Sequence, residues 1–294
     1  MNYVSTIGFF DGVHRGHQYL LQGLTAEAAH RSLGAKVFTF GVHPRQVLTA
    51  GFRPQLLTTL EEKLALISEM GIKECRVLDF DSSMAAMTAE DFMRKVLKPE
   101  GVSVLLMGYD HHFGSDRADF EACSSMGSSM GLEVLRENSF AEGTSTFSSS
   151  LVRKRILQGD VIVAASLLGR PYALSGIVVE GHHVGRSLGF PTANLLPDSQ
   201  DKIIPAHGAY AVRAVAGGRS YCGMTNIGTR PTLQNGEDVS IETHLFDCDA
   251  DLYGRTLQLQ FLHHLREEQH FDNIDELKTQ LAIDAERARK LLKP

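Results

Sequence analysis

The stretch YVSTIGFFDGVHRGHQYLLQGL, residues 3–24, decides how the first half of the chain is read. Tyr3–Ile7 is a short apolar run that ends at Gly8, as a strand ends at a turn. Glycines at 8, 12 and 16 then break the chain, and histidines stand at 14 and 17. A helical pattern follows at once, with Leu20, Leu21, Leu24 and Ala28 on one face, closing near Gly34. Strand, glycine turn and helix in immediate succession is the opening of a βα unit. The unit then recurs. AKVFTF (35–40), CRVLDF (75–80), VSVLLMG (102–108) and EVLR (133–136) read as further strands. Between them, TTLEEKLALISEMG (58–71) reads as a helix with capping-box spacing at Thr59 and Glu62 and Gly71 at its end. TAEDFMRKVL (88–97) reads as a helix stopped by Pro99, and another is expected over 120–130. This alternation predicts a doubly wound parallel sheet, whose ligands bind at the carboxyl ends of the strands.

The pattern changes after about residue 150. SSSLVRKRILQGDVIVAASLLGR (148–170) reads as two short helices joined at Gly159–Asp160. YALSGIVVEG, AYAVRAVAGGRSYCGMTNIG, VSIETHLF and TLQLQFLHHL then read as strands, and Gly217–Gly218 suits a two-residue hairpin turn. In NIDELKTQLAIDAERARKLL (273–292) an apolar stripe of Ile274, Leu277, Leu281, Ala285, Ala288 and Leu292 predicts an amphipathic helix capped by Asn273 with Glu276. The expectation is an antiparallel β-barrel closed by one C-terminal helix, with domains at 1–168 and 169–294. The length of 294 residues suits two cores.

A net charge of −6 argues against a broad basic face for nucleic acid. Four scattered cysteines without a CxxC pair argue against a zinc ribbon or a thioredoxin motif and fit a reducing cytosol. No leader pattern or apolar run of membrane length stands in the sequence. A cytoplasmic enzyme or binding protein without nucleic-acid or membrane partners, at most a weak homo-oligomer, is expected.

GFFDGVHRGH (8–17) admits a metal site, a phosphate site or a plain turn. A metal site needs a third ligand, and Arg15 between the histidines would repel a cation. A phosphate site needs what a helix start after a glycine turn offers: free backbone N–H groups and the positive end of the helix dipole. No GxxxxGK[ST] loop is present. FSSSLVRKR (147–155) is the companion candidate, offering three hydroxyls and Arg153; alone, a serine run is more often a solvated linker. In GRSLGFPTAN (185–194), Thr192 and Asn194 are hard oxygen donors two residues apart on an extended segment; alone, this is as well a proline turn with an Asx cap. Glu242 in SIETHLF is either on the exposed face of its strand or functional, and His244 shares its face.

HxGH after a first strand resembles the signature of the nucleotidylyl transferases. GFFDGVHRGHQ, TFGVHPRQVL, GYDHHFGSDR, SSSLVRKRILQGDVIVAASLLGRPY, GHHVGRSLGFPTAN, PAHGAYAV, NIGTRPT, IETHLFD, DLYG and LREEQHF resemble, in order and over nearly the whole chain, the bacterial bifunctional riboflavin kinase/FAD synthetases. That resemblance implies two reactions. A C-terminal kinase converts riboflavin and ATP to FMN, and an N-terminal adenylyltransferase converts FMN and a second ATP to FAD and pyrophosphate, with Mg²⁺ at both sites. In the N-terminal half it implies that His14 and His17 hold the triphosphate and stabilise charge on the α-phosphate. Gly8, Phe10, Asp11, Gly16, Ser148, Ser149, Ser150 and Arg153 would complete the ATP site, and His43, Pro44, Asp110 and Phe113 would meet the flavin. In the C-terminal half it implies Glu242 as general base and Thr192 and Asn194 as Mg²⁺ ligands. Gly181, Gly185, Gly189 and Pro191 would complete the ATP site, and Arg230, Arg266 and Phe271 would lie at the flavin.

The chain departs from the family pattern mainly in its N-terminal half. The family has Asn where Phe9 stands, Pro at Val42, Phe at His111, Thr at Ser150 and often Arg at Leu151, and Arg117-Ala118-Asp119 lacks the usual glycine. These departures leave two alternatives to a fully bifunctional enzyme. One is a kinase with a weakened nucleotide- or flavin-binding N-terminal module. The other is a flavin-responsive regulator.

Overall fold

The computed structural model describes residues 2–109, 111–140, 147–181, 185, 188–231 and 237–293. The chain forms two compact units, Met1–Ser149 and Ser150–Pro294.

In the first unit, β1 (Tyr3–Ile7), β2 (Gly34–Phe40), β3 (Glu74–Leu78), β4 (Val102–Met107) and β5 (Glu133–Arg136) pair in the order β3-β2-β1-β4-β5. Every pairing is parallel. The sheet is therefore doubly wound, and its order reverses between β1 and β4, where such sheets open a crevice at their carboxyl edge. Alternate strand residues feed opposite faces. Val4, Val37, Val104 and Leu106 pack with Leu21, Leu24 and Ala28 of α1 (Arg15–His30) and Ile67 of α3 (Leu60–Glu69). Ile7, Phe38, Leu105 and Met107 pack on the other side with Phe92, Met93, Leu97 and Cys123.

The capping box expected at Thr59 and Glu62 is formed, with both reciprocal hydrogen bonds present. Two short helices were not anticipated: α2 (Pro44–Leu48) and α4 (Ser82–Ala85). Each is too brief to show a helical period. The helix expected over 88–97 starts as α5 (Ala89–Phe92) and widens into a π-helical turn over Met93–Leu97, where the Lys98 N–H reaches the Met93 carbonyl. Helix α6 (Phe120–Ser129) completes the unit.

The second unit opens on α7 (Ser149–Leu157) and α8 (Val161–Leu168), joined through Gly159 and Asp160. The break between units falls before most of α7, whereas the functional boundary expected from sequence lies at the end of α8. Six strands follow: β6 (Tyr172–Val179), β7 (Ala193–Pro197), β8 (Gly208–Ala216), β9 (Arg219–Pro231), β10 (Glu237–Leu245) and β11 (Thr256–Arg266). They close as an antiparallel barrel in the order β10-β7-β6-β11-β8-β9. Gly217 and Gly218 both have positive φ, 55° and 78°, which is the backbone a two-residue hairpin between β8 and β9 requires.

Helix α9 (Ile274–Leu291) is capped by Asn273 as expected and lies on the barrel's outer wall. There Ala288 and Leu292 are buried with Ala209, Ala211, Met224 and Leu265, and Leu281 and Ala285 pack beside them. The expected stripe is one residue too long: Ile274 is 63% exposed. It is the first residue of the helix, and the apolar contact begins a turn later, at Leu277.

Candidate active sites

In the first unit the site grows out of the turn after β1. Phe10, Gly12 and Val13 all have positive φ, 53°, 77° and 39°. For Phe10 and Val13 this conformation costs about 1–3 kcal/mol each, so the surroundings must impose it. They do so through Asp11, which is 3% exposed. Its carboxylate accepts from the Leu57 N–H at 2.9 Å and the Thr58 N–H at 3.2 Å. The Gly12 N–H donates to the Thr58 hydroxyl oxygen at 3.0 Å, and the Ser149 hydroxyl donates to the Asp11 carbonyl at 2.9 Å. Asp11 and Ser149, both expected at ATP, thus brace the turn. Gly8 and Gly16 fit the same turn closely. A Cβ on Gly8 would lie 2.9 Å from the Phe10 ring, and one on Gly16 would lie 3.2 Å from the His14 ring.

The braced turn delivers two histidines to the start of α1. His14 is the N-cap residue, and its Nδ1 accepts from the His17 N–H at 3.3 Å. Because Nδ1 accepts, a neutral His14 carries its proton on Nε2. The two imidazoles stack with centroids 3.6 Å apart and an interplanar angle of 17°. His17 Nδ1 is buried and has no hydrogen-bond partner among the described residues. Burial pushes the His17 pKa well below 6.5, and the charges of His14 and Lys63 push it the same way. The stacked pair stands at a helix start, a place suited to an anion.

The loop after β2 adds His43, the N-cap of α2, whose Nδ1 accepts from the Arg45 N–H at 3.1 Å; Pro44 is the first helical residue. The His43 ring meets Phe9 edge-on at 4.7 Å. Phe113 lies elsewhere, 4% exposed in the core against Phe92. Asp110 is outside the described residues. Ser148 is exposed, and Ser150 and Arg153 stand in α7.

One residue of this site escaped the sequence reading. Lys63 is 3% exposed, and its ammonium donates to the carbonyls of Phe9 at 3.0 Å and Phe40 at 2.9 Å. It also lies 4.3 Å above the Phe9 ring. The available signal was helical spacing: Lys63 is four residues before Ile67, and these are the two buried residues of α3.

In the second unit a cavity of about 240 Å³ opens between the barrel wall and α9. Gly185, Thr192, Glu242, Arg266 and Phe271, five residues singled out by sequence, line it, together with Asn226. A neighbouring cavity of about 330 Å³ is lined by Pro191, Thr192, Asp249, Asp251 and Tyr253 among others. Thr192 belongs to both. Glu242 faces Asn194 across the β10–β7 pairing and Asn226 across the β10–β9 pairing, so one carboxylate stands between two amides on one face. His244, two residues on, lies 2.8 Å from the Pro191 carbonyl through Nδ1. A carbonyl only accepts, so Nδ1 carries the proton, and His244 holds the segment that presents Thr192.

Asn194 is 7% exposed, and its amide fills the space over Gly181, where a Cβ would lie 2.1 Å from Nδ2. Gly189 has a φ of 85° and turns the chain beside Leu188 with open space around it. Gly181, Gly189 and Asn194 are not among the residues lining either cavity. Arg230 stands in β9, and its side chain is outside what is described.

Arg266 lines the cavity, yet its guanidinium is engaged by Asp284 of α9, with Nε and Nη2 each 2.9 Å from Oδ2. Those side chains are 13% and 4% exposed. The pair ties α9 to β11 and thereby shapes the cavity. Asp284→Ala leaves the guanidinium buried without its carboxylate, so the barrel unit is expected to lose about 3–5 kcal/mol. Urea unfolding checks this, and a loss below about 1 kcal/mol would make the pair dispensable.

Among the described residues, no cluster of three His, Cys, Asp or Glu side chains is arranged to hold a metal. No described helix is long and apolar enough to cross a membrane.

Two family models match the chain: one described as FAD synthetase over residues 1–151 and one described as riboflavin kinase over residues 168–292. A bifunctional riboflavin kinase/FMN adenylyltransferase of Escherichia coli strain K12 is 40% identical over 98% of this chain and 92% of its own length. The protein of the same description from Pseudomonas fluorescens is 36% identical over 99% and 93%, and that from Bacillus subtilis strain 168 is 34% identical over 97% and 91%. A crystal structure from Streptococcus pneumoniae, described as a macrolide-efflux protein, superposes with a TM-score of 0.92 at 31% identity, covering 98% of this chain and 94% of that one.

Proposed function

The chain belongs to the family of bifunctional riboflavin kinase/FMN adenylyltransferases, and from that premise we propose which of its residues carry each reaction. It is a transferase with both activities: riboflavin and ATP give FMN, and FMN and ATP give FAD. Matches to both family models favour this over a kinase with an inert N-terminal module.

We assign adenylyl transfer to residues 1–168. The observation that carries this is the stacked His14–His17 pair at the start of α1, directly after the central strand. FMN's phosphate attacks the α-phosphorus of ATP, and pyrophosphate leaves. His14 Nε2–H and the positive end of the α1 dipole stabilise the charge that builds on the phosphate oxygens. No covalent enzyme intermediate is needed, so positioning and electrostatics supply the rate. Gly8, Phe10, Asp11 and Gly16 shape the turn that presents this surface. Ser148, Ser149, Ser150 and Arg153 are proposed to close on the phosphates, with Arg153 compensating the charge of pyrophosphate. His43, Pro44, Asp110 and Phe113 are proposed toward FMN, Phe113 acting from beneath as packing.

We assign riboflavin phosphorylation to residues 169–294, carried by the convergence of Thr192 and Glu242 on one cavity. Glu242 takes the proton of the ribityl 5′-hydroxyl as its oxygen attacks the γ-phosphorus, and ADP leaves. Riboflavin occupies the cavity beneath α9, with Phe271, Arg230 and Arg266 around it. ATP occupies the neighbouring one, along Pro191 and Thr192, and Gly181, Gly185 and Gly189 are proposed to let the preceding backbone approach the nucleotide. Mg²⁺ is proposed at Thr192, which lines both cavities, with Asn194 two residues on in β7. It takes few protein oxygens and keeps phosphate and water ligands, and the Thr192 hydroxyl and Asn194 amide oxygen are such a sparse set. When bound, the ion neutralises phosphate charge. A cytoplasmic location and action without nucleic acid belong to the same proposal.

Purified protein incubated with riboflavin, ATP and Mg²⁺ is expected to form FMN and then FAD, resolved by chromatography. A chelator added beforehand is expected to stop both steps. FMN without FAD would remove the adenylyltransferase assignment. Undiminished FMN formation under chelation would remove Mg²⁺ from Thr192 and Asn194.

A further inference from the structure

We propose that Lys63 is a positioning residue of adenylyl transfer: its ammonium ties the ends of β1 and β2 together and sets a buried positive charge against the turn that carries the histidine pair. The geometry is specific to this edge of the sheet. Phe9 and Phe40 follow or end adjacent parallel strands, and Lys63 donates to both carbonyls, at 3.0 and 2.9 Å. The Phe9 carbonyl is the last acceptor before the backbone turns left-handed at Phe10. It also accepts from the buried Thr39 hydroxyl at 3.3 Å. The turn that aims His14 and His17 therefore starts from a carbonyl fixed by two donors.

A neutral amide could satisfy two carbonyls. The chain instead buries a cation that makes no ion pair among the described residues, an arrangement that costs desolvation. A charge kept at that cost has a target. His17 is one: its Nδ1 is buried with no partner among the described residues, so protonating the ring would add an unsatisfied charged N–H. The positive charges of Lys63 and His14 oppose that protonation. The triphosphate proposed at the helix start is another, because a buried cation against the same turn is weakly screened.

The groups facing Lys63 come from every neighbouring element. Asp11 lies in the turn after β1, Cys75 in β3, His17 in α1, and His43 behind the Phe9 ring. Burial lowers the Lys63 pKa to about 8, against the opposing pull of Asp11 and Cys75. The cation is thus held at neutral pH and lost in mild alkali.

The test uses the full chain, with riboflavin phosphorylation as the internal control. Lys63→Met is expected to lower the kcat of FMN adenylylation by about ten- to a hundredfold. Phosphorylation should stay within about twofold. Imidazole NMR should show the His17 midpoint rising in part while staying below the ordinary value of about 6.5, because burial of the ring remains. Adenylylation within about threefold of wild type overturns the proposal. So does lost adenylylation with an unmoved His17 midpoint, which would make Lys63 a strut only. Should the variant fail to fold, the wild-type pH profile decides: adenylylation is expected to fall relative to phosphorylation above about pH 8. A constant ratio between about pH 7 and 9.5 overturns the proposal.

Discussion

Glu242→Gln is expected to lower the turnover of riboflavin phosphorylation by about 10² or more and to leave adenylylation of supplied FMN at its wild-type rate. The substitution is close to isosteric. It keeps the side-chain length in β10 and keeps a carbonyl oxygen toward Asn194 and Asn226, the residues opposite it on both neighbouring strands. What it removes is the capacity to take a proton. The ribityl hydroxyl is a weak nucleophile until its proton is accepted in the transition state, so the loss should appear in kcat rather than in the KM for riboflavin. A residue on an exposed strand face with no chemical task would tolerate the change within a fewfold. Single-turnover measurement of FMN formation from riboflavin and Mg²⁺–ATP checks the expectation. Turnover near wild type would make Glu242 a wall of the cavity, and the proton would have to leave by another route.

Why Glu242 needed the structure is instructive. Alternation along SIETHLF places Glu242 and His244 on the face opposite Ile241, Thr243 and Leu245, which are buried. On most sheets that face meets water. Here it meets α9, whose Leu277, Leu281 and Asp284 roof the cavity that Glu242 lines. The pattern of one strand records which face leaves the core but not what covers it. The same limit applied to Arg266. Its sequence neighbourhood suggests a flavin contact, and it lines the cavity, but its ion pair with Asp284, eighteen residues away on α9, shows only in the structure. Long-range pairs have no local signature. Short elements have little either: α2 is anchored by a His43–Gln46 capping box and not by a period. By contrast, the five parallel strands and the barrel strands except β7 were legible, because apolar runs bounded by glycine and proline are set by burial itself. β7 holds only ANLLP, too little to alternate.

Phe9 shows the converse, a departure from family pattern that the packing accommodates. Where the resemblance implies a polar residue, its ring lies 4.3 Å from the Lys63 ammonium and 4.7 Å from the His43 ring. A cation over an aromatic face is worth about 0.5–2 kcal/mol, more when desolvated, which helps retain the buried charge. The polar contact that an asparagine would offer at the sheet edge is replaced by an apolar bridge from α3 to the loop after β2.

His17→Ala is expected to lower FMN adenylylation by about 10³ while riboflavin phosphorylation stays at its wild-type rate. The variant separates chemistry from architecture, because the bond that caps α1 runs from the His17 backbone N–H to His14 Nδ1 and survives removal of the ring. The tautomer of His14, with its proton on Nε2, survives for the same reason. What disappears is the second imidazole, stacked at 3.6 Å on His14, and with it one of the two groups proposed to act at the α-phosphate as charge builds there. The turn should remain formed, since Asp11, Thr58 and Ser149 brace it without help from residue 17. The cavity left by the ring is bordered by Phe10, which meets it edge-on at 5.2 Å. Some loss of stability in the first unit is therefore expected, and thermal unfolding should be measured beside the rates. The decisive reading is the ratio of FAD formed from FMN to FMN formed from riboflavin by the same protein sample. A thousandfold fall in that ratio places His17 at the reacting phosphate. An equal loss of both activities would overturn the division of labour between the two units, and an unchanged ratio would leave the histidine pair as a helix cap alone.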